Sequence, residues 1–151
     1  MNTTKNTSKE TVQPYLFFEG RCEEALEFYR KTLGAEVTMM MRFKDTPESP
    51  DPSGGCGGAM PAGDKVMHAD FRIGTSTLMA SDGNCGGKQS FQGISLSYSA
   101  ATEAEADKAF AALAEGGEIQ MPMMKTFFSP RFGMVADKFG VSWMVIVPPK
   151  A

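Results

Sequence analysis

Apolar and polar residues follow a pattern that switches between short strand-like runs and two amphipathic helices. Residues 12–18 form an aromatic, apolar run typical of a strand. In the next segment, apolar residues recur at three- and four-residue spacing, which indicates a helix that buries one face. The residues with this spacing are Cys22, Ala25, Leu26, Tyr29 and Leu33. Gly34 is placed to end that helix, and we predict a second strand at 35–43.

Residues 44–64 are rich in proline and glycine and poor in apolar side chains, so they are predicted to form a long loop. Loops of this length inside a domain usually carry a function or move. The pattern leaves two interpretations open, a flap at the mouth of a pocket and an arm that contacts a second chain. Two further strands are predicted at 65–73 and 75–81, followed by a glycine-rich loop at 82–88.

The same order of elements then begins again. A strand is predicted at 91–99, and Thr102 with Glu105 forms a capping box that marks the start of a helix. The apolar positions that follow again have helical spacing, at Ala106, Ala109, Phe110 and Leu113. Three more strands complete the pattern, at 118–123, 126–137 and 141–147.

The two halves are also related in their residues. FYRKTLGAEV (28–37) and FAALAEGGEI (110–119) share a phenylalanine, the glycine that ends the helix, and a glutamate with an aliphatic residue that open the next strand, at a constant offset of 82 residues. We therefore predict one α+β domain over 12–151, with module 1 at about 12–88 and module 2 at about 89–148. Each sheet has one helix to cover one face, so the remaining faces are expected to form a cup.

Composition narrows the function classes. A net charge of −3 argues against a nucleic-acid partner. No segment approaches the roughly 20 apolar residues that span a bilayer, and the polar leader at 1–11 does not resemble a signal peptide, so we expect a cytoplasmic protein without a membrane partner. Cys22, Cys56 and Cys85 form no CxxC pair and are expected to be reduced thiols. The many Met and Phe residues suit an irregular core and a permissive cavity equally.

Three blocks carry a family resemblance: PYLFFEGRCEEALEFYRKTLGAE (14–36), MHADFRIGTSTLMASD (67–82) and RFGMVADKFGVSWMV (131–145). Together they resemble the PhnB-like subgroup of the vicinal oxygen chelate superfamily, which includes glyoxalase I, bleomycin-resistance proteins and extradiol dioxygenases. Members often carry a methyltransferase-type name linked to 3-demethylubiquinone. The resemblance implies a glyoxalase-like fold, in which two βαβββ modules form a cupped, mixed β-sheet with helices on its outer face. It also implies a homodimer.

In metal-dependent members of that superfamily, four inward-facing positions supply His, Gln or Glu ligands. The matching positions in this chain are Gln13, Ala80, Gly93 with its neighbour Ser95, and Met144. A catalytic divalent ion needs about three nitrogen or oxygen ligands, and a thioether suits a hard ion poorly. We therefore expect no metal. We also expect no cofactor, because GGCGG at 54–58 lacks the strand–turn–helix context of a nucleotide or adenosylmethionine site.

Strand periodicity gives a predicted ligand pocket. His68, Asp70 and Arg72 share one face of their strand, whereas Ala69 and Phe71 belong to the face packed under a helix. His68 is the best candidate for an acid or base, with Asp70 as its orienting partner; a structural or surface histidine is the alternative. The full predicted lining is Gln13, Tyr15, Phe17, His68, Ser95, Phe127, Phe128, Arg131 and Met144.

Three functions remain open from the sequence. The leading hypothesis is a metal-free protein that binds an unknown small molecule, of the sequestering or resistance type. The alternative is an enzyme of the same fold, either with a metal at a shifted site such as His68 and Asp70, or metal-free with His68 or Tyr15 as acid or base. The third is a structural or regulatory dimer whose cup is filled by Met and Phe side chains.

Overall fold

Helices and strands follow one another in the order that the hydrophobic pattern predicts. The computed structural model describes residues 10–45, 63–83 and 88–149. Its helices and strands are, in chain order, β1 (Tyr15–Phe17), α1 (Cys22–Leu33), β2 (Glu36–Arg42), β3 (Val66–Ile73), β4 (Ser76–Ser81), β5 (Leu96–Ser99), α2 (Glu103–Ala114), β6 (Glu118–Met124), β7 (Arg131–Ala136) and β8 (Ser142–Val147). Most of the predicted 44–64 loop, with Cys56, and the part of the 82–88 loop that contains Cys85 lie outside the described residues.

Backbone hydrogen bonds join the strands of each module into a four-stranded sheet. Sheet 1 has the order β1-β4-β3-β2, and sheet 2 has the matching order β5-β8-β7-β6. In each sheet the first strand pairs in parallel with the last strand of its module, and the other pairs are antiparallel. The identical orders confirm the predicted pair of βαβββ units and the α+β fold class.

Three strands begin later than their apolar runs predict. The strand predicted at 91–99 begins only at Leu96, after a turn in which Gly93 has φ of 82°. The strand predicted at 12–18 is confined to β1, since Pro14 accepts a hydrogen bond from the backbone N–H of Met79 but has no N–H to return one. The strand predicted at 126–137 begins only at Arg131. The residues before it form a turn closed by backbone and side-chain hydrogen bonds between Thr126 and Ser129.

Helix α1 is fixed by groups at both of its ends. At its C-terminus Gly34 adopts a left-handed conformation with φ of 68°, as its predicted role as a stop requires. At its N-terminus the buried carboxylate of Asp82, which follows β4, accepts hydrogen bonds from the backbone N–H groups of Gly20 (2.9 Å), Cys22 (2.8 Å) and Val66 (2.7 Å). Burial raises the pKa of the Cys22 thiol, which agrees with a neutral, reduced cysteine.

Helix α2 starts at the capping box that the sequence predicts. The Thr102 hydroxyl accepts a hydrogen bond from the backbone N–H of Glu105 at 3.1 Å, and the Glu105 carboxylate accepts one from the backbone N–H of Ala101 at 3.3 Å. Helix α2 packs closely on β7 at Gly133, where an added Cβ would lie 2.9 Å from the Phe110 ring. Within the described residues, no helix combines the length and the apolar character needed to cross a membrane.

The two modules share one core, and α1 lies at its centre. The Tyr29 ring stacks on Phe71 of sheet 1 with centroids 6.2 Å apart, and it meets the edge of Trp143 of sheet 2 at 5.4 Å. The Tyr29 hydroxyl and the Trp143 indole N–H both donate to Asp137 Oδ2, at 2.5 and 2.9 Å. Burial, together with the Asp137 carboxylate, raises the pKa of the Tyr29 phenol well above its ordinary value. The phenol therefore stays protonated and keeps the modules connected.

Each sheet has a buried helix face and an open face. On sheet 1, Leu16, Ala69 and Ala80 pair across adjacent strands on the helix face, and all three are buried. On sheet 2, Trp143, Val145 and Val147 occupy the helix face and are buried. Since side chains alternate along a strand, the intervening residues lie on the side away from the shared core. The open faces are therefore where a ligand can approach.

Replacing Asp137 tests the connection between the modules. We expect Asp137→Asn to lower the free energy of unfolding by about 3 kcal/mol, because the amide cannot accept hydrogen bonds from all four groups that now donate to the carboxylate. Asp107→Asn is a matched control at an exposed ion pair and should cost less than about 1 kcal/mol. Urea unfolding at neutral pH measures both values, and equal losses would contradict the assigned role of Asp137.

Candidate functional site

The open face of sheet 1 brings together a tyrosine, a histidine and an aspartate. Tyr15 lies on β1, and His68 and Asp70 lie on β3. The Tyr15 hydroxyl is 2.9 Å from His68 Nδ1, and His68 Nε2 is 2.9 Å from Asp70 Oδ1. The side chains of His68 and Asp70 are 26% and 33% exposed, so a small molecule can reach them. We call these three residues the open-face triad.

The hydrogen-bonding partners fix which atoms of the open-face triad donate and which accept. A carboxylate can only accept, so His68 Nε2 carries the proton that is donated to Asp70. Nδ1 is then the acceptor in the neutral imidazole, and the Tyr15 hydroxyl donates to it. A carboxylate that orients an imidazole, which in turn accepts from a hydroxyl, is an arrangement that can take a proton from that hydroxyl or return it.

Apolar side chains surround the triad on the same face. The Phe17 ring is 4.9 Å from the Tyr15 ring and 51% exposed. Met79 is the cross-strand partner of both Tyr15 and Asp70, and the exposed Met39 pairs with Asp70 on its other side. An apolar surface with a few hydrogen-bonding groups at its centre has the composition of a small-molecule site.

Gln13, Ser95 and Met144 lie at other places on the surface. Gln13 is exposed and lines a groove of about 920 Å³ between the β3–β4 turn and β5. Ser95 lines the same groove and also a cavity of about 750 Å³ at the open face of sheet 2, where its hydroxyl is 2.8 Å from that of Ser142. Met144 lies on the same open face, opposite Ser97 and Met134. Of the predicted lining, Tyr15, Phe17 and His68 therefore form one group on sheet 1, apart from the groove that Gln13 shares with Ser95.

The structure does not place Phe127, Phe128 and Arg131 with that group. The two phenylalanines pack edge to face at 5.1 Å in the turn before β7 and line a separate cavity of about 630 Å³. Arg131 pairs in register with the buried Val147, so it lies on the helix face. There its guanidinium donates to Asp107 of α2 at 2.8 Å. Both the phenylalanines and Arg131 differ from their predicted places because β7 begins at Arg131 and not at residue 126.

Met79 is a residue of the site that the sequence reasoning missed. The position compared with metal ligands on β4 was Ala80, but Ala80 faces the core and pairs with Leu16 and Ala69. Its neighbour Met79 therefore occupies the open face. The period-two pattern of β4, in which Leu78 and Ala80 are buried, was the signal that could have identified it.

The donor atoms at the compared positions do not fit the superfamily's divalent metal site. Met144 offers a thioether, Ser95 a hydroxyl and Gln13 an amide, whereas Ala80 and Gly93 offer no side-chain donor atom. Met79, which takes the place of Ala80 on the open face, adds a second thioether. Hard divalent ions prefer carboxylate, imidazole or several oxygen ligands. Over residues 10–45, 63–83 and 88–149 there is no group of three or more His, Cys, Asp or Glu side chains that could hold a metal ion.

The fold matches solved structures of the glyoxalase-like class. A glyoxylase/bleomycin resistance/dioxygenase domain from Frankia sp. EAN1pec superimposes with a TM-score of 0.63 over 95% of this chain and 98% of that domain. Its sequence is 15% identical, so this likeness concerns the fold alone. It confirms the glyoxalase-like fold that the three sequence blocks imply.

The chain belongs to the PhnB-like family, whose sequence model is described as 3-demethylubiquinone-9 3-methyltransferase and matches residues 10–146. Protein YjdN of Escherichia coli K12 is 38% identical over 138 residues, which cover 90% of this chain and 94% of YjdN. Protein PA1353 from Pseudomonas aeruginosa is 39% identical, with a TM-score of 0.78 over 94% of this chain and all of that one. A PhnB protein from Bacillus cereus is 31% identical, with a TM-score of 0.74 over 91% and 99%.

The family description implies a methyl donor, and the described helix N-termini do not fit a nucleotide-type one. Such cofactors are often held at the N-terminus of a helix that follows a strand and a glycine turn. At α1, which has that context, the Asp82 carboxylate already accepts from the N–H groups of Gly20 and Cys22. At α2 the Thr102 hydroxyl and the Glu105 carboxylate occupy the equivalent place. Side chains of the protein itself therefore already occupy the N-termini of both described helices.

The tautomer of His68 tests the geometry of the triad. At about pH 8, long-range ¹H–¹⁵N spectra should show a protonated Nε2 and an unprotonated Nδ1, because Asp70 accepts from the former and Tyr15 donates to the latter. Asp70→Ala should remove this preference, whereas Asp107→Ala, remote from the site, should preserve it. A protonated Nδ1 in the unmodified protein would contradict the assignment.

Proposed function

We propose that this protein binds a small molecule at the open-face triad without a divalent metal at the superfamily position. The observation that carries the proposal is the hydrogen-bonded chain Tyr15–His68–Asp70, set among exposed apolar side chains. These side chains are already held in place by their mutual hydrogen bonds, so they lose little conformational entropy when a ligand binds. The ligand expected at this site has an apolar or aromatic body and at least one hydrogen-bonding group.

We also propose that the working form is a cytoplasmic homodimer. Support comes from large apolar side chains that are exposed on or beside the open faces, among them Phe17 and Met39 on sheet 1 and Ile94 just before β5. A second copy of the chain can cover such surfaces and close the site on the side away from the core. The reduced, buried Cys22 suits an intracellular redox environment.

Native mass spectrometry followed by a binding titration tests the binding proposal. Freshly purified protein should have the mass of two chains and hold far less than one divalent ion per chain. The probe 2-phenylethanol, which has an aromatic ring and one hydroxyl, should shift the backbone amide signals around Tyr15 and His68. His68→Ala and Tyr15→Phe should each weaken that binding by roughly tenfold, whereas Thr75→Ala, in the exposed β3–β4 turn, should not.

Two results would overturn this proposal. One tightly bound divalent ion per chain would contradict the metal-free site. If the His68→Ala and Tyr15→Phe variants both bind 2-phenylethanol as tightly as the unmodified protein, the proposed location of the site is contradicted.

The same geometry favours a second candidate, a metal-free enzyme that transfers protons. His68, oriented by Asp70, can accept the Tyr15 proton, and the Tyr15 oxygen can then abstract a hydrogen next to a carbonyl group. The abstracted proton then passes to solvent and solvent supplies a proton to the same carbon of the enolate, so the exchange is balanced and needs no oxidant or reductant.

Hydrogen exchange in D₂O tests the enzymatic candidate with dihydroxyacetone as the probe. The protein should accelerate replacement of the carbon-bound hydrogens by deuterium, and His68→Ala or Asp70→Asn should reduce the acceleration by roughly 10²-fold or more. The Thr75→Ala variant should keep it. Exchange at the rate of buffer alone would reject this candidate and leave the binding proposal standing.

A further inference from the structure

The turn between β1 and α1 holds an unusual glutamate. Glu19 has φ of 49°, and it is the only residue other than glycine with positive φ in the described parts of the chain. This conformation is uncommon for residues with a Cβ, and such residues concentrate at functional sites. The next residue, Gly20, has φ of 105° and is fixed on both sides: its N–H donates to Asp82, and its carbonyl accepts from Lys65 Nζ at 3.0 Å. The surrounding structure therefore keeps Glu19 in place.

The Glu19 carboxylate lacks a partner for one of its oxygens. Oε2 is buried and makes no hydrogen bond, and none of the ion pairs formed among the described residues includes Glu19. Of the two nearby lysines, Lys65 is directed to the Gly20 carbonyl, and Lys88, which lines the same cavity as Glu19, is in none of those ion pairs. Buried polar atoms are nearly always paired, and an unpaired one calls for a bound water, an ion or a ligand.

Glu19 also lines a cavity next to the open-face triad. The cavity has a volume of about 330 Å³ and is lined by Phe17, Glu19, Lys88, Gln89 and Ser90. The Phe17 ring, one wall of the cavity, is in contact with the Tyr15 ring at 4.9 Å. The cavity therefore adjoins the site proposed above.

The Glu19 carboxylate and the Phe17 ring, which both line that cavity, also lie close to each other beside Gly83. Glu19 Oε1 and Phe17 Cδ1 lie 2.8 and 3.0 Å from the point where a Cβ on Gly83 would be. A carboxylate attracts a positively charged nitrogen through charge-assisted hydrogen bonds, and a neighbouring aromatic ring adds an attraction when the nitrogen meets its electron-rich face. The Gln89 amide and the Ser90 hydroxyl offer neutral acceptors in the same cavity.

We propose that Glu19 and Phe17 form a cation subsite, which selects small molecules carrying a protonated primary amine. This proposal rests on the proposed binding function and names the chemical class of the ligand. Phe17 connects this subsite to the open-face triad, because its ring centroid lies 4.9 Å from that of Tyr15. The ligand therefore has one cationic end at Glu19 and a neutral body that extends toward the triad.

A pair of probes that differ in one group tests the subsite. 2-Phenylethylamine carries the ammonium, and 2-phenylethanol is its neutral counterpart of nearly the same shape. Titrations followed by the backbone amide signals of Phe17 and Ser90 give a Kd for each probe. We expect the amine to bind at least about tenfold more tightly than the alcohol at low salt.

Variants of Glu19 assign the preference to that residue. Glu19→Gln keeps the size of the side chain and should abolish the preference for the amine. Glu19→Gly should do the same while relieving the positive φ, and its Tm should be no lower than that of the unmodified protein, so lost binding cannot reflect unfolding. Glu115→Gln, at the exposed end of α2, is the matched control and should keep the preference.

Three outcomes would overturn the cation subsite. The first is equal affinity for the two probes, and the second is an amine preference that survives in Glu19→Gln. The third is amine binding that emerges only in Lys88→Met, which would show that Lys88 is itself the cation for Glu19. The proposed binding function has its own test, because it stands as long as 2-phenylethanol binds and His68→Ala weakens that binding. Failure of the cation subsite can therefore be distinguished from failure of the binding function.

Discussion

Four hydrogen-bond donors converge on the buried carboxylate of Asp137, and they come from both modules of the chain. The Tyr29 hydroxyl reaches it from α1, the Trp143 indole reaches it from β8, and two backbone N–H groups come from the β7–β8 connection. A charged group in a core is tolerated only when it is fully hydrogen-bonded, so this arrangement admits one relative placement of the modules. The position of both open faces follows from it, since each sheet is packed against the same core.

Strand and helix order could be predicted from the sequence, because both depend on local spacing. The face of α1 and the capping box of α2 are set by residues within a turn or two of each other, and both predictions are confirmed. The open-face contact between His68 and Asp70 also follows from a spacing of two residues on one strand. Local periodicity therefore gave the fold and part of the candidate site.

Some features of the candidate site could not be predicted, because they depend on where strands begin and on contacts between distant segments of the chain. The predicted position of Arg131 failed because a turn precedes it and β7 starts late, which leaves the guanidinium beside α2. The hydrogen bond between Tyr15 and His68 joins residues 53 positions apart, and it requires β4 to lie between β1 and β3. The Asp82 cap of α1 is equally remote in sequence. No pattern within a short window contains these contacts.

Asp82 has a further consequence for recognition. Its carboxylate joins the turn after β1, the first residue of α1 and the start of β3, so the segment that presents Glu19 is held by bonds made on the core side. The entropy of ordering that turn is lost during folding and not when a ligand arrives. Affinity at the open face can therefore depend on a residue that no ligand touches. A substitution at Asp82 would then act as a change in the rigidity of the binding surface, with the chemistry of that surface unaltered.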